Sequence, residues 1–201
     1  MEVRDSKPPH YNPAINILFV CTGNICRSPM AEAMLRIRLA ERGIDAVVSS
    51  TGLLAVGREV PDEGIAVMDR AGLDVRPHRS TVLSVEAISA ADLVLGMERQ
   101  HVREVLVLDP ACLGHSFTIK ELVRRGEMAG ARRPGETVRQ WLRRVGEGRR
   151  ASDLVGMSSD DDVADPYGRA VGAYETTRRE LAALIDRLVD LAWPVAKERT
   201  A

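Results

Sequence analysis

Short apolar runs that alternate with longer segments of helical periodicity predict an α/β fold for this chain. Its 201 residues suit one domain, and a hydrophobic content of 45% is enough to build a substantial core. Strands that are joined through helices pair in parallel and are covered on both faces. We therefore expect a single-domain, Rossmann-like three-layer sandwich with a central four-stranded parallel sheet.

Each predicted element rests on a local pattern. Short runs of strand-forming residues predict strands at 15–20, 46–50, 92–96 and 116–119. Apolar residues at three- and four-residue spacing predict helices at 29–42, 61–71, 82–90, 99–108 and 168–191. Gly43 and Gly72 suit the ends of the first two helices. We expect the domain to span 15–192, with a loose arm at 1–14 and a tail at 193–201.

Composition excludes several classes of function. A net charge of −1 gives no general attraction to nucleic acid or membranes, and we expect neither partner. Three cysteines do not form a secreted disulfide framework, and no zinc-ligand spacing is present. No apolar run approaches the ~20 residues of a membrane span, and the polar start lacks a signal-peptide core. These features predict a cytoplasmic protein without a metal or cofactor.

The loop Cys21-Thr-Gly-Asn-Ile-Cys-Arg-Ser-Pro29 directly follows the first predicted strand. Ser and Pro are favoured where a helix begins, so the loop leads into a helix N-terminus. Such a site offers several backbone N–H groups and a positive dipole end, which suit a phosphate. We expect residues 22–28 to surround that phosphate, through side chains or backbone of Thr22, Gly23, Asn24, Ile25, Cys26, Arg27 and Ser28.

The residue types in the loop suit nucleophilic chemistry. Cys21 would attack as a thiolate, which the helix N-terminus, Arg27 and Ser28 all favour. The planar guanidinium of Arg27 can hold two phosphoryl oxygens at once. Gly23 lets the backbone approach the ligand closely, and Asn24 tolerates a left-handed conformation. The loop is therefore a phosphate cradle with a nucleophile at its floor.

On these residues the chain resembles the low-molecular-weight protein tyrosine phosphatases. The resemblance implies Cys21 as the nucleophile, Arg27 as the phosphate clamp and Ser28 as the stabiliser of the thiolate and leaving group. It also implies a catalytic aspartate in a late Asp-Pro-aromatic motif. Asp165-Pro166-Tyr167-Gly168 matches that motif and precedes the last predicted helix, so Asp165 is the expected general acid.

Further roles follow from the same resemblance. Asn24, Ser50 and His78 are expected to brace the cradle. Cys26 is either a redox partner that forms a reversible disulfide with Cys21 or a packed thiol.

The expected substrate pocket departs from the family pattern. The segment 51–57 has no aromatic residue where the family usually has one, so Leu53 or Leu54 would form the wall, with Tyr167 at the mouth. An aliphatic Ile25 resembles the tyrosine-phosphatase branch, whereas the arginine-phosphatase branch has threonine at this place.

The segment 120–150 is unusual because it carries ten Lys or Arg against four Glu. We read 120–160 as an inserted basic region with a short amphipathic helix around Trp141. It would be a solvated surface helix, or a lobe that contacts an acidic or phosphorylated partner. The aspartates at 160–162 are expected to form a solvated linker.

The predicted function is a metal-independent phosphomonoester hydrolase that forms a cysteinyl-phosphate intermediate. Its substrate would be a phosphorylated protein, most readily at phosphotyrosine, or a small phosphomonoester. An arsenate reductase of the same fold is an alternative, although it needs further thiols and only Cys112 is available. A phospho-binding protein without turnover is the other alternative.

Overall fold

The computed structural model describes residues 14–54 and 56–195. Its centre is a sheet of four parallel strands in the order β2-β1-β3-β4. The strands are β1 (Ile15–Cys21), β2 (Ala46–Gly52), β3 (Leu93–Gly96) and β4 (Ser116–Thr118). All four carboxyl ends therefore point to one edge of the sheet, where ligands of open parallel sheets bind.

Seven α-helices surround the sheet in the described residues, which also form two short 3-10 helices at Pro110–His115 and Ala151–Leu154. The α-helices are α1 (Arg27–Glu41), α2 (Asp62–Arg70), α3 (Val85–Ala90), α4 (Arg99–Leu108), α5 (Ile119–Ala129), α6 (Val138–Val145) and α7 (Val171–Ala192). The larger core lies between one face of the sheet and α1, α2, α5, α6 and α7. A smaller core on the other face packs Leu18, Val20 and Val94 against α3 and α4. The predicted three-layer α/β fold is confirmed.

Most boundary differences are small and have local causes. Helix α3 begins only at Val85, because the Ser84 hydroxyl caps it by accepting a hydrogen bond from the N–H of Ala87 at 3.2 Å. Strand β1 extends through Cys21, and α1 already begins at Arg27. The predicted strand at 116–119 ends one residue early because Thr118 caps α5.

The predicted C-terminal tail, 193–201, begins too early in the sequence. Trp193 is buried and belongs to the larger core, and its carbonyl oxygen accepts a hydrogen bond from Arg42 at 3.0 Å. The predicted arm, apart from residue 14, and the tail beyond residue 195 lie outside the described residues.

A solvated surface helix is wrong for the basic segment. Helix α6 is amphipathic as predicted, but its apolar side is core: Trp141, Leu142 and Val145 are buried. The indole of Trp141 lies over α5, and its N–H donates to the carbonyl of Gly130 at 3.1 Å.

The charges of this segment are largely paired within the chain. Arg149 and Glu121 form a buried ion pair at 2.6 Å, and Arg125 contacts the same carboxylate at 3.1 Å. Arg124 pairs with Asp161, which is buried and also binds Arg99. The expectation of a solvated linker is therefore wrong at Asp161. Six of the ten basic side chains of the segment pair with carboxylates of the chain, namely Lys120, Arg124, Arg125, Arg139, Arg144 and Arg149.

Candidate active site

Cys21 is the last residue of β1, so its thiol lies at the carboxyl edge of the central strand. The side chain is buried, and its Sγ lies 3.0 Å from the Ser28 hydroxyl oxygen. The backbone N–H of Asn24 donates to the same sulfur at 3.2 Å. One N–H of the loop and one hydroxyl in the first turn of α1 are therefore in hydrogen-bond contact with the sulfur.

Asn24 holds the loop in shape. Its φ of +50° is the left-handed conformation that asparagine tolerates. The side-chain amide donates to the hydroxyls of Ser28 at 2.9 Å and Ser50 at 2.8 Å, and its oxygen accepts from the N–H of Thr81 at 2.9 Å. His78 Nε2 lies 2.7 Å from the carbonyl oxygen of Asn24. The structure thus brings Ser50 and His78 to the loop, as predicted.

The end of β2 also shapes the loop. A Cβ at Gly52 would lie 2.8 Å from the backbone nitrogen of Asn24, a separation that side chains do not show. The Ser50 hydroxyl in turn donates to Glu32 on α1 at 2.6 Å. The sequence analysis missed Glu32, because it matters only through a contact between two elements.

Arg27 is almost completely buried, with 1% of its side chain exposed. Its Nη1 contacts Glu98 and donates to the carbonyl of Val163 at 3.0 Å. Its Nη2 donates to Asp165 at 2.8 Å and to the hydroxyl of Thr22 at 3.3 Å. The Nε atom has no hydrogen-bond partner within the described ranges. A buried donor without a partner is uncommon, and Arg27 is one of the residues that line the pocket containing Cys21.

Glu98 was not singled out from the sequence. The register of β1 with β3 pairs Val20 with Gly96, so a residue two positions after Gly96 reaches the loop. The sequence signal that could have identified Glu98 is a carboxylate placed just beyond the end of a predicted strand.

Asp165 reaches the site on the loop before α7. Gly168, at φ +72°, makes the turn, and the N–H of Tyr167 donates to Asp165 Oδ1 at 3.2 Å. The Asp165 carboxylate is 43% exposed and bonded to Arg27. The predicted acid and the predicted phosphate clamp are therefore in direct contact, although 138 residues separate them in the sequence.

A pocket of about 70 Å³ opens above Cys21. Its lining comprises residues of the loop, the carboxylate residue Asp165, and three further residues, which are Leu54, Arg58 and Tyr167. The Arg58 guanidinium donates to the Tyr167 hydroxyl at 3.0 Å and lies 5.6 Å from the ring centre. Arg58 was missed because no local pattern marks it.

Leu53 is not part of this lining. It packs instead against the smaller core on the other face of the sheet, so its prediction as a pocket wall is wrong. The N–H of Leu53 bonds to the carbonyl of Thr22 at 2.9 Å, which turns its side chain away from the mouth.

Cys26 faces away from bulk solvent and contacts α7. Its thiol donates to the hydroxyl of Tyr174 at 3.7 Å. Burial raises the pKa of Cys26 to about 12, so it remains a neutral thiol at physiological pH. This environment favours the packed-thiol interpretation in the resting protein, and the redox role stays a prediction.

His101, in the first turn of α4, was also missed. Its ring is fully buried, and its Nε2 lies 3.0 Å from the hydroxyl oxygen of Thr22. Burial, with Arg27 and Arg103 nearby, lowers the pKa of His101 to about 3.

The site residues come from β1, the loop that follows it, the loops after β2 and β3 and the loop before α7. The sequence model described as low molecular weight phosphotyrosine protein phosphatase matches residues 16–145. The chain belongs to this family. The resemblance expected from the cysteine loop is thereby confirmed.

Two curated relatives of this phosphatase show how the family divides. A protein-arginine-phosphatase from Geobacillus stearothermophilus is 32% identical over 175 residues, with 87% of this chain and 93% of the relative covered. The probable low molecular weight protein-tyrosine-phosphatase EpsP of Ralstonia nicotianae is 32% identical over 177 residues, with 88% and 92% covered.

A solved structure gives the same result for the fold. The low molecular weight protein tyrosine phosphatase from T. tengcongensis superposes with a TM-score of 0.67 at 32% identity, covering 88% of this chain and 99% of its own.

Two observations limit what else the described residues hold. No helix among them is long and apolar enough to cross a bilayer. No group of three or more metal-ligating side chains converges in that same part of the chain.

Proposed function

We propose that this phosphatase hydrolyses phosphotyrosine in proteins through a cysteinyl-phosphate intermediate. The observation that carries the proposal is the convergence of the Cys21 thiol, the Arg27 guanidinium and the Asp165 carboxylate on one small pocket. Nucleophile, charge stabiliser and proton donor are the parts that this chemistry requires.

In the first step the Cys21 thiolate attacks phosphorus, and the bond from phosphorus to the substrate oxygen breaks. Asp165, protonated for this step, gives its proton to the leaving oxygen. In the second step a water molecule attacks the phosphorus of the cysteinyl phosphate and loses a proton to Asp165. The sulfur–phosphorus bond breaks, which releases phosphate and restores the thiolate.

Fixed positive groups take the place of a metal ion in this proposal. The unpartnered Nε of Arg27 and the pocket-facing edge of its guanidinium would bind phosphoryl oxygens. Glu98 and Val163 hold the opposite nitrogen, so the guanidinium need not reorganise during the reaction.

The walls of the pocket support a tyrosine substrate. Ile25 and Leu54 present apolar surface, and Tyr167 presents an aromatic ring at the mouth. These groups suit the ring of phosphotyrosine, whereas the N–H groups of phosphoarginine would need acceptors there. The cation of Arg58 at the same mouth also disfavours a second guanidinium.

A protein-arginine-phosphatase is the second candidate, because relatives of that name align with nearly their full length. The half-exposed carboxylate of Asp165 lines the pocket and is an acceptor that could bind a guanidinium.

An arsenate reductase is less well supported. Cys112 precedes β4 and so lies at the amino edge of the parallel sheet, opposite the edge where β1 delivers Cys21. Its thiol is buried and donates to the carbonyl of Asp109 at 2.8 Å. In an arsenate reductase a second thiol must reach Cys21 to form a disulfide with it, and Cys112 would have to do so from the opposite edge of the sheet.

A cytoplasmic location is part of the proposal, and the three free cysteines support it. An acidic partner for the basic segment remains a prediction from its sequence charge.

The test compares a phosphotyrosine peptide with a phosphoarginine peptide of the same sequence, in the presence of EDTA. The wild type should prefer the phosphotyrosine peptide, and Cys21→Ser should be inactive on both. A preference for the phosphoarginine peptide would contradict the proposal and support the second candidate, a protein-arginine-phosphatase. Activity that survives in Cys21→Ser would contradict the cysteinyl-phosphate route.

A further inference from the structure

His101 and Thr22 form a buried hydrogen bond that the reaction scheme above does not use. Thr22 is the second residue of the cysteine loop, and His101 lies in the first turn of α4, the helix that follows β3. The contact between Nε2 and Oγ1 measures 3.0 Å. Nδ1 of the same ring has no hydrogen-bond partner within residues 14–54 and 56–195.

The protonation state of this ring is fixed by its surroundings. The imidazole is fully enclosed, and the two nearest cations, Arg27 and Arg103, oppose a second proton. A neutral imidazole carries one N–H, on either Nδ1 or Nε2.

The two tautomers differ in what they leave unsatisfied. With the proton on Nδ1, a buried N–H would face no acceptor, which is the rarer kind of unsatisfied group in proteins. With the proton on Nε2, the ring donates to Thr22 and only an acceptor lone pair is left without a partner. The geometry therefore favours the Nε2–H tautomer.

This tautomer decides what the hydroxyl of Thr22 can do. Its oxygen accepts from His101 Nε2–H and from Arg27 Nη2, at 3.0 and 3.3 Å. Two accepted hydrogen bonds fill both lone pairs of a hydroxyl and leave its own O–H as the one remaining donor. Thr22 is part of the pocket lining, beside the same Arg27 nitrogen that binds Asp165.

We propose that His101 is a positioning residue that commits the Thr22 hydroxyl to donate a hydrogen bond to the phosphoryl group in the pocket. The proposal rests on the proposed function for the identity of that group. In the opposite tautomer the Thr22 hydroxyl would donate its hydrogen bond to Nε2 of His101, so no donor would remain for the ligand.

The tautomer is tested first, on the unmodified protein. The ¹⁵N shifts of the His101 ring should report protonation at Nε2 and should stay constant between about pH 5 and about pH 8. A proton on Nδ1, or titration within that range, would overturn the proposal without any variant.

The second test measures the coupling of the two residues. The variants are Thr22→Val, His101→Phe and the pair together, with His115→Phe at the opposite edge of the sheet as the control. Each single change should lower kcat/KM for para-nitrophenyl phosphate by roughly ten- to a hundredfold, the value of one hydrogen bond to a charged group. The double variant should be no worse than either, and His101→Gln, which keeps an N–H donor, should recover most of the loss.

Phosphate binding separates this proposal from the proposed function. In a Cys21→Ser background, Thr22→Val and His101→Phe should each weaken the calorimetric Kd of inorganic phosphate by a similar factor. If phosphate affinity falls in these variants but the wild type is inactive, the role of Thr22 as a hydrogen-bond donor is supported and the phosphatase reaction is rejected. An active wild type with unchanged phosphate affinity, or with multiplicative effects in the double variant, would reject the role of His101.

Discussion

The Nη2 atom of Arg27 lies 2.8 Å from Oδ2 of Asp165, and this ion pair joins the loop after the first strand to the loop before the last helix. Three further contacts, to Glu98, Val163 and Thr22, hold the same guanidinium. The phosphate clamp and the expected proton donor are therefore positioned by each other.

Replacing Asp165 by Asn should separate substrates by their leaving groups. We expect kcat for a phosphotyrosine peptide to fall by about 10²–10⁴-fold, the usual contribution of a positioned general acid. The loss for para-nitrophenyl phosphate should be smaller, because para-nitrophenolate leaves more readily without a proton. Steady-state kinetics on both substrates measure the ratio. Asp160→Asn, at an exposed carboxylate of the preceding loop, is the matched control and should behave as the wild type. An equal loss on both substrates would argue against proton donation by Asp165.

Tyr167 should contribute to substrate binding through its ring. Tyr167→Leu is expected to raise KM for a phosphotyrosine peptide about three- to tenfold, since an aromatic pair adds ~0.5–1.5 kcal/mol beyond its buried area. Tyr167→Phe keeps the ring and loses only the hydrogen bond from Arg58, so it serves as the control. If the Phe and Leu variants have the same KM, the ring does not contact the substrate.

The buried ion pair of Arg149 should matter more for stability than an exposed pair of the same type. Only 2% of the Arg149 side chain and 5% of its partner Glu121 are exposed. Arg149→Met leaves Glu121 buried with the weaker contact to Arg125, and we expect unfolding to become easier by about 3 kcal/mol.

The matched control for that change is Arg139→Met. Arg139 pairs with Asp92 and is 76% exposed, so the expected change is below about 1 kcal/mol. Urea unfolding of both variants gives the comparison, and equal losses would mean that burial does not set the contribution of these pairs.

His101 should make stability depend on pH on the acid side. Its pKa is about 3 in the folded protein and near ~6.5 when unfolded, so the unfolded chain binds the extra proton between these values. The contribution of neutral His101 to the free energy of unfolding is complete above about pH 6.5 and is lost as the pH falls toward 3. The free energy of unfolding changes by at most ~1.4 kcal/mol per pH unit in this range.

Urea unfolding at several pH values checks this slope. His101→Gln should flatten it, whereas His115→Gln, at a less buried histidine whose pKa burial also lowers, should change it less. A slope that is unaltered in His101→Gln would assign the acid sensitivity to other groups.

Alkylation should distinguish the three cysteines. Burial raises the pKa of Cys26 and of Cys112, so both should resist iodoacetamide at neutral pH. Cys21 lines the pocket and should react alone, with inorganic phosphate slowing the reaction. Intact mass and peptide mapping count the modified sites. Labelling of Cys26 in the folded protein would show that its burial is easily relieved, which the predicted disulfide with Cys21 would also require.

The parts of the site that the sequence could predict are those with a local pattern. The apolar run of β1, the following loop and the start of α1 are contiguous, so Cys21, Arg27 and Ser28 were identifiable from their spacing. Asp165 was found through its motif before the last helix. His101 and Arg58 have no such pattern, and Glu98 is marked only by its place just beyond a strand. Each of the three reaches the site only through the pairing of strands or the packing of loops and helices.

The wrong expectations have physical causes of the same kind. Leu53 and Leu54 are equally apolar, so the sequence does not show that Leu54 lines the pocket and Leu53 packs against the smaller core. Several basic residues of the segment 120–150 looked free because their partners are dispersed, as with Asp161 for Arg124 and Asp92 for Arg139. Net charge along the sequence does not reveal such neutralisation.

The wide separation of Arg27 from its partners has a consequence for the newly made chain. Arg27 leaves the ribosome 136 residues before Val163 and 138 residues before Asp165. A nascent chain that has formed β1 and α1 therefore holds Cys21 without Asp165, and it holds the arginine without two of its partners. On the proposed mechanism, activity begins only when the loop before α7 has emerged and completed the partners of that arginine.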